Sequence, residues 1–167
     1  MRTTLFTVML LASPALAGKP AKMTVMSSAF AAGAAIPDEY TCTGENVSPQ
    51  LTWTNTPNET KSIAILVEDP DAPKGTVLHW LVTGIDPTMN AVVRGGVPEG
   101  ATAAKNEKGA LGYMGPCPPA GPPHHYHFHV YALDIALGRP VSKVDFTTQM
   151  SGHLIGQGEL VGTYQKK

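Results

Sequence analysis

The sequence predicts a mainly β protein, an antiparallel Greek-key β-sandwich with one or two short helices. Three observations carry that expectation: the apolar segments are short, Gly, Pro, Asn or Asp bounds each of them, and the strongest is rich in β-branched residues. Strands do not alternate with long helical periodicities, and there is no internal repeat. At 167 residues the chain has the size of one domain and can bury a substantial core.

The first segment, MRTTLFTVMLLASPALAG, sets Arg2 ahead of an apolar run and ends it on Ala15-Leu16-Ala17, the small-x-small pattern of a signal-peptidase site. The run is shorter than the roughly 20 residues a bilayer span needs, and no second apolar span follows. Residues 1–17 are therefore read as a signal peptide cleaved after Ala17, and 18–167 as one exported domain, periplasmic or secreted.

Lys22 to Ser28 (KMTVMSS) alternates in a β-like manner and is the expected first strand. Ser62 to Asp69 (SIAILVED) is nearly continuous in apolar, β-branched residues, which suits a strand buried on both faces, and Val77 to Ile85 (VLHWLVTGI) is expected to pair with it. Asp86 to Gly112, rich in Gly, Ala, Asn and Pro, reads as a long surface excursion of the kind that borders functional sites. Tyr126 to Leu133 (YHFHVYAL) alternates, with Tyr126, Phe128 and Val130 on one face. His127 and His129 take the other face, joined by His125 if the strand begins one residue earlier. Phe146 to Ile155 is the expected short helix, with Asp145 as N-cap and Gly152 weakening it; Glu159 to Tyr164 (ELVGTY) closes the fold.

Twelve Lys plus Arg against thirteen Asp plus Glu give a net charge of -1 without any basic run, which argues against a broad nucleic-acid interface. Export bears on Cys42 and Cys117, the only two cysteines, because oxidising compartments favour disulfides. A Cys42–Cys117 bridge is expected in preference to two buried thiols. Closing a loop of about 75 residues (117 minus 42) is worth about 4 kcal/mol in the chain-entropy account.

The segment DPDAP, Asp69 to Pro73, holds two carboxylates at a strand end between conformationally restricted prolines. His79-Trp80 follows in the next strand. An Asp beside a His fixes its tautomer and favours the imidazolium, which would make His79 an anion-binding donor. In a regular strand Trp80 points the opposite way, into the core. His124 shares the side of Tyr126, whose phenol can donate. The plainer alternatives are a solvated turn for DPDAP, a hydrogen-bonded core histidine for His79 and a half-buried strand aromatic for Tyr126. His127 and His129 at i and i+2, with His125 or a carboxylate, can ligate a metal, although no HExxH or paired CxxC supports it and a solvated strand face is the commoner arrangement. GxSxG, GxxxxGK[ST] and GxGxxG are absent, and Ser27, Ser28, Ser48 and Ser151 show no local pattern of a nucleophile.

Taken in order, IPDEYTCTGENVSPQLTW (Ile36 to Trp53), DPDAP, HW, GPCPPAGPPHHYHF, VYALD and ELVGTY resemble the phosphatidylethanolamine-binding protein family, in particular its bacterial Raf-kinase-inhibitor-like branch. The resemblance implies a small pocket at one end of a β-sandwich that takes phosphate-like anions and phospholipid headgroups. Carried over by motif, that pocket would use Asp69, Asp71, His79, His124 and Tyr126, with backbone around Pro116 and Cys117 forming the turn beside it. It implies a binding protein and no enzyme, without cofactor or catalytic residues. Two features depart from the eukaryotic pattern: His125 stands where Arg is expected, and no C-terminal helix follows ELVGTY, so kinase inhibition is not expected. A metal-dependent hydrolase built on His127 and His129, and a protein-interaction or inhibitor module, are the other two readings. The sequence names no protein partner, physiological ligand or oligomeric state.

Overall fold

The computed structural model describes residues 19–137 and 142–166; the expected signal peptide, residues 1–17, lies outside them. In chain order the strands are β1 (Ala21–Lys22), β2 (Thr24–Met26), β3 (Leu51–Thr54), β4 (Ser62–Asp69), β5 (Val77–Ile85), β6 (Ala91–Val92), β7 (Thr102–Ala103), β8 (His124–Leu133) and β9 (Leu154–Tyr164). A 3-10 turn spans Asp38–Tyr40, and one helix, α1, spans Lys143–Met150. They form a six-stranded sheet in the order β1-β9-β8-β4-β5-β7 and a three-stranded sheet in the order β2-β3-β6. The mainly β, two-sheet architecture is as expected, but the larger sheet is mixed, because β1 pairs with β9 in parallel.

β4 shows why its sequence is almost continuously apolar. Ile63, Ile65 and Val67 point inward, where they meet Trp53 of the small sheet and Trp80, Phe128 and Val130 of the large one. Ala64 and Leu66 point outward and are buried too, with Leu78, Leu81 and Phe146, so α1 covers part of the outer face. Phe146 is fully buried and seats the helix. Removing such a side chain would cost about 3–5 kcal/mol.

The helix lies earlier than the sequence suggests. Its N-cap is Ser142, whose hydroxyl accepts from the Asp145 N–H, and Asp145 sits inside the first turn. Ser is as good a cap as Asp, and an acidic residue in the first turn suits the helix dipole, so the two assignments were hard to separate by residue type. Gly152, at φ 79°, follows the helix, and Leu154 and Ile155 already belong to β9. The closing strand thus begins at Leu154, ahead of the expected Glu159.

The expected first strand divides in two. Ala21 and Lys22 pair with β9 of the large sheet, whereas Thr24 to Met26 pair with β3 of the small one. Between them Met23 is buried and its carbonyl passes close over Gly158, where an added Cβ would come within 2.7 Å of it. The chain can change sheets there because glycine leaves room for the close approach. β3, which alternates buried Leu51 and Trp53 with more exposed Thr52 and Thr54, was not singled out as a strand. The Asp86 to Gly112 excursion contributes only the two-residue strands β6 and β7.

Candidate functional site

β4, β5 and β8 end together at one edge of the core, and their terminal residues surround a cavity of about 330 Å³. From β4 comes Asp69, from β5 His79, and from β8 His124 and Tyr126. All four are buried, and Tyr126 is completely so. The alternation of β8 sends His124, Tyr126, Phe128 and Val130 inward and leaves His125, His127 and His129 outside.

His79 reaches the cavity through a β-bulge. Val67 faces Trp80 and Glu68 faces Leu78, so His79 is the extra residue of β5. A bulge re-aims the side chain it carries. His79 packs edge-on against the Tyr126 ring, with centroids 5.1 Å apart, while Trp80 lies in the inner core and packs edge-on against Tyr113. The two therefore do not take opposite faces as a regular strand would dictate.

The histidines are oriented by different partners from the one expected. His79 Nδ1 lies 2.6 Å from the carbonyl of Met114. A carbonyl only accepts, so Nδ1 carries the proton and Nε2 is left for a ligand. Burial lowers the His79 pKa, outweighing the Met114 carbonyl and the more distant Asp69 carboxylate, which act the other way. Burial thus disfavours the imidazolium that a neighbouring Asp was expected to favour. Asp69 instead pairs with His124, Oδ2 to Nδ1 at 2.8 Å, which fixes that ring too. Asp71 turns outward to His125, whose Nδ1 and backbone N–H lie 2.7 and 2.8 Å from Asp71 Oδ2. Those contacts hold the Asp71 carboxyl below its usual range.

The Tyr126 hydroxyl is buried without a hydrogen-bond partner among the described residues. Burial raises its pKa, reinforced by the charge of the Asp69 carboxylate, which stands close to the hydroxyl but outside hydrogen-bond geometry, so it remains a protonated donor. Leaving such a group unsatisfied costs about 1–3 kcal/mol.

The remaining wall is the turn Gly115 to Pro119, with Cys117, Pro118 and Pro119 on the cavity. A Cys42–Cys117 disulfide ties it to the segment after the 3-10 turn, with Cα atoms 5.4 Å apart. Noncovalent ties run alongside: the Cys42 N–H donates to the Pro116 carbonyl at 3.1 Å, and the Gly115 N–H donates to Asn46 Oδ1 at 2.7 Å. An added Cβ on Gly115 would stand 2.6 Å from the Tyr40 carbonyl, so this approach requires glycine. Pro116 is buried behind the wall, and its role is to hold Cys42 through its carbonyl.

Of the seven pocket residues expected, the structure brings Asp69, His79, Cys117, His124 and Tyr126 around one cavity, sets Pro116 behind it and turns Asp71 away. Sequence reasoning missed Lys74, Lys108 and Glu107 at the cavity, and the Met114 carbonyl. Lys74 immediately follows DPDAP and Lys108 lies in the excursion read as bordering a site, so a signal existed for both; a backbone acceptor leaves none.

Fold and site together define a two-sheet β domain whose strand ends enclose a buried pocket lined by imidazoles and a phenol. The chain belongs to the phosphatidylethanolamine-binding protein family, whose model matches residues 26–165. It is 41% identical over 151 residues to a UPF0098 protein of Methanothermobacter thermautotrophicus, covering 86% of this chain and 99% of that one. A Mycobacterium tuberculosis relative named as a lipoprotein, LppC, is 42% identical over 156 residues, covering 92% and 76% respectively. Among solved structures, the family homolog CT736 from Chlamydia trachomatis has a TM-score of 0.82 at 38% identity and covers 87% of this chain and 99% of its own. YbcL of E. coli, described as a member of the mammalian family, also has a TM-score of 0.82, at 32% identity, with 88% and 100% covered.

Proposed function

We propose that this protein is an exported binding protein, without catalysis, whose pocket takes a small phosphate-like anion, free or as a phospholipid headgroup. The observation that carries the reading is the Tyr126 hydroxyl: a buried donor without a hydrogen-bond partner among the described residues, beside two histidines whose Nδ1 atoms are already engaged. A ligand oxygen in the cavity would satisfy it, and charge-assisted hydrogen bonds of that kind are strong. Lys74 and Lys108 bring two positive charges to the cavity against the carboxylates of Glu107 and Asp69, the latter paired with His124. Because burial keeps His79 neutral, its Nε2 accepts a proton from the ligand's own hydroxyl or is protonated as the anion binds. A phosphate monoester carries such a proton as its monoanion, the main form below a pH of about 6; its dianion and a diester carry none and require uptake from solvent.

Support for export comes from the predicted signal peptide, the disulfide and the lipoprotein name of the mycobacterial relative. No helix among the described residues is long and apolar enough to cross a membrane.

Isothermal calorimetry with inorganic phosphate, phosphoethanolamine and phosphatidylethanolamine vesicles tests the reading. One equivalent should bind per chain, and His79→Ala should weaken binding at least about tenfold, the loss of one charge-assisted hydrogen bond, with the melting curve still cooperative. Binding of the free compounds without vesicles would assign the soluble source, and the reverse the lipid. Affinity unchanged in His79→Ala, or no binding by any of the three probes, would refute the proposal.

A further inference from the structure

The outer face of the large sheet carries a second group of side chains that the pocket does not use. His127 and His129 occupy alternate positions of β8 and leave the sheet on the side away from Tyr126 and Phe128. Glu159 of β9 stands directly across from His129. The two imidazoles are stacked, with centroids 5.9 Å apart and planes at 22°. A single carboxylate oxygen serves both: Glu159 Oε1 is 2.7 Å from His127 Nδ1 and 3.5 Å from His129 Nδ1. One ligating atom from each residue lies within 4.8 Å of the others.

Those separations suit a shared cation better than two independent ion pairs. Ligands about 2.0 Å from a tetrahedral ion stand about 3.3 Å from each other, within several tenths of an ångström of both distances to Oε1. Two stacked imidazolium rings competing for one oxygen would repel each other, whereas two neutral rings and a carboxylate can all face one divalent ion. A second observation concerns the opposite edge of His129: its Nε2 lies 3.6 Å from Glu68 Oε1, and Glu68 is in turn held by Lys143 of α1. Metal-ligating histidines usually hydrogen-bond their other ring nitrogen to a carboxylate, and Glu68 stands in that position, just beyond hydrogen-bond distance of His129 Nε2. Lys143 anchors the carboxylate from outside the cluster. His127 and His129 are 28% and 19% exposed in their side chains, which leaves room for water at a fourth coordination position.

We propose that His127, His129 and Glu159 form a binding site for a divalent transition-metal cation of the Zn(II) or Cu(II) type, on the sheet face opposite the pocket. Two imidazoles and a carboxylate favour these ions over Mg(II) or Ca(II), which prefer oxygen ligands throughout. The ion takes the place of the proton between His127 Nδ1 and Glu159 Oε1: the neutral ring then carries its single proton on Nε2, and a ring that starts as imidazolium releases its second proton to solvent. The site is independent of the anion-pocket reading, since none of its residues lines that pocket.

Calorimetry of the tag-free protein with zinc chloride tests it. One ion should bind per chain, His127→Ala and His129→Ala should each weaken binding at least about tenfold, Glu159→Gln should also weaken it, and magnesium chloride should give no heat. His125→Ala, whose ring is paired to Asp71, should leave zinc affinity unchanged. In the copper arm, electron paramagnetic resonance of the wild-type protein should show two coordinating nitrogens, a readout that survives if an alanine variant misfolds. Zinc binding that persists in His127→Ala and His129→Ala, or that is lost instead in His79→Ala, would overturn the proposal, as would the absence of stoichiometric zinc or copper binding by the wild type.

Discussion

Replacing Cys42 and Cys117 together by serine isolates the covalent tie between the pocket wall and the segment after the 3-10 turn. The bridge spans 75 residues of sequence. In the chain-entropy account a loop of that length restricts the unfolded chain by about 4 kcal/mol. For a domain of this size each kcal/mol moves the melting temperature by about 2–4 °C, so the double variant should melt about 10 °C lower. The wall keeps its hydrogen bonds from Cys42 N–H to Pro116 and from Gly115 N–H to Asn46, so the variant should still fold and unfold cooperatively at 25 °C. Calorimetric melting of the wild-type and double-serine proteins measures the difference, with urea unfolding as a second readout. A melting temperature within about 3 °C of wild type, less than about 1 kcal/mol, would refute the loop-entropy reasoning at this position.

Two further predictions concern charge. The two aspartates of DPDAP should behave oppositely: Asp69→Ala strips buried His124 of its acceptor and should cost about 3 kcal/mol, whereas Asp71→Asn disturbs an exposed pair and should cost less than about 1 kcal/mol, both read from urea midpoints. Equal losses would contradict the burial difference. For His79 the folded pKa lies below the unfolded value of about 6.5, so the unfolded state takes up the proton first as pH falls. Its contribution to stability is complete above that value and declines below it until the folded pKa is reached. An imidazole NMR titration should place the His79 midpoint below about 6.5 in the free protein, moving upward when a phosphodiester binds; a midpoint above that value in the free protein would contradict the assigned burial effect.

How far the sequence reaches varies along the chain for physical reasons. The limits of β4 and β5 were legible because β-branched apolar runs end there against Asp-Pro and Gly-Thr turns. The two faces of β8 were legible because the side-chain period of a strand is two. The bulge at His79 was not, since one inserted residue leaves the composition of a strand unchanged, and it alone determines that His79 and Trp80 both serve the inner side. The pairing of Asp69 with His124 was missed because sequence proximity favoured His79, while the ladder between β4 and β8 brings their ends together across 55 residues. The sheet change at Met23 depends on the glycine of a strand far away in sequence, and the anchoring of His79 depends on a backbone carbonyl that any residue could supply.

The central claim is that a buried donor in the pocket is reserved for an anion, and Tyr126→Phe tests it most directly. The hydroxyl has no partner among the described residues, so removing it should leave stability unchanged or raise it by about 1 kcal/mol. The same change should weaken phosphate or phosphoethanolamine binding at least about tenfold in parallel calorimetry, since only the bound state uses that donor. Unchanged or raised stability together with an affinity loss is the predicted result. Unaltered affinity, or a loss of stability of 2 kcal/mol or more, about the cost of breaking an existing buried hydrogen bond, would contradict the account.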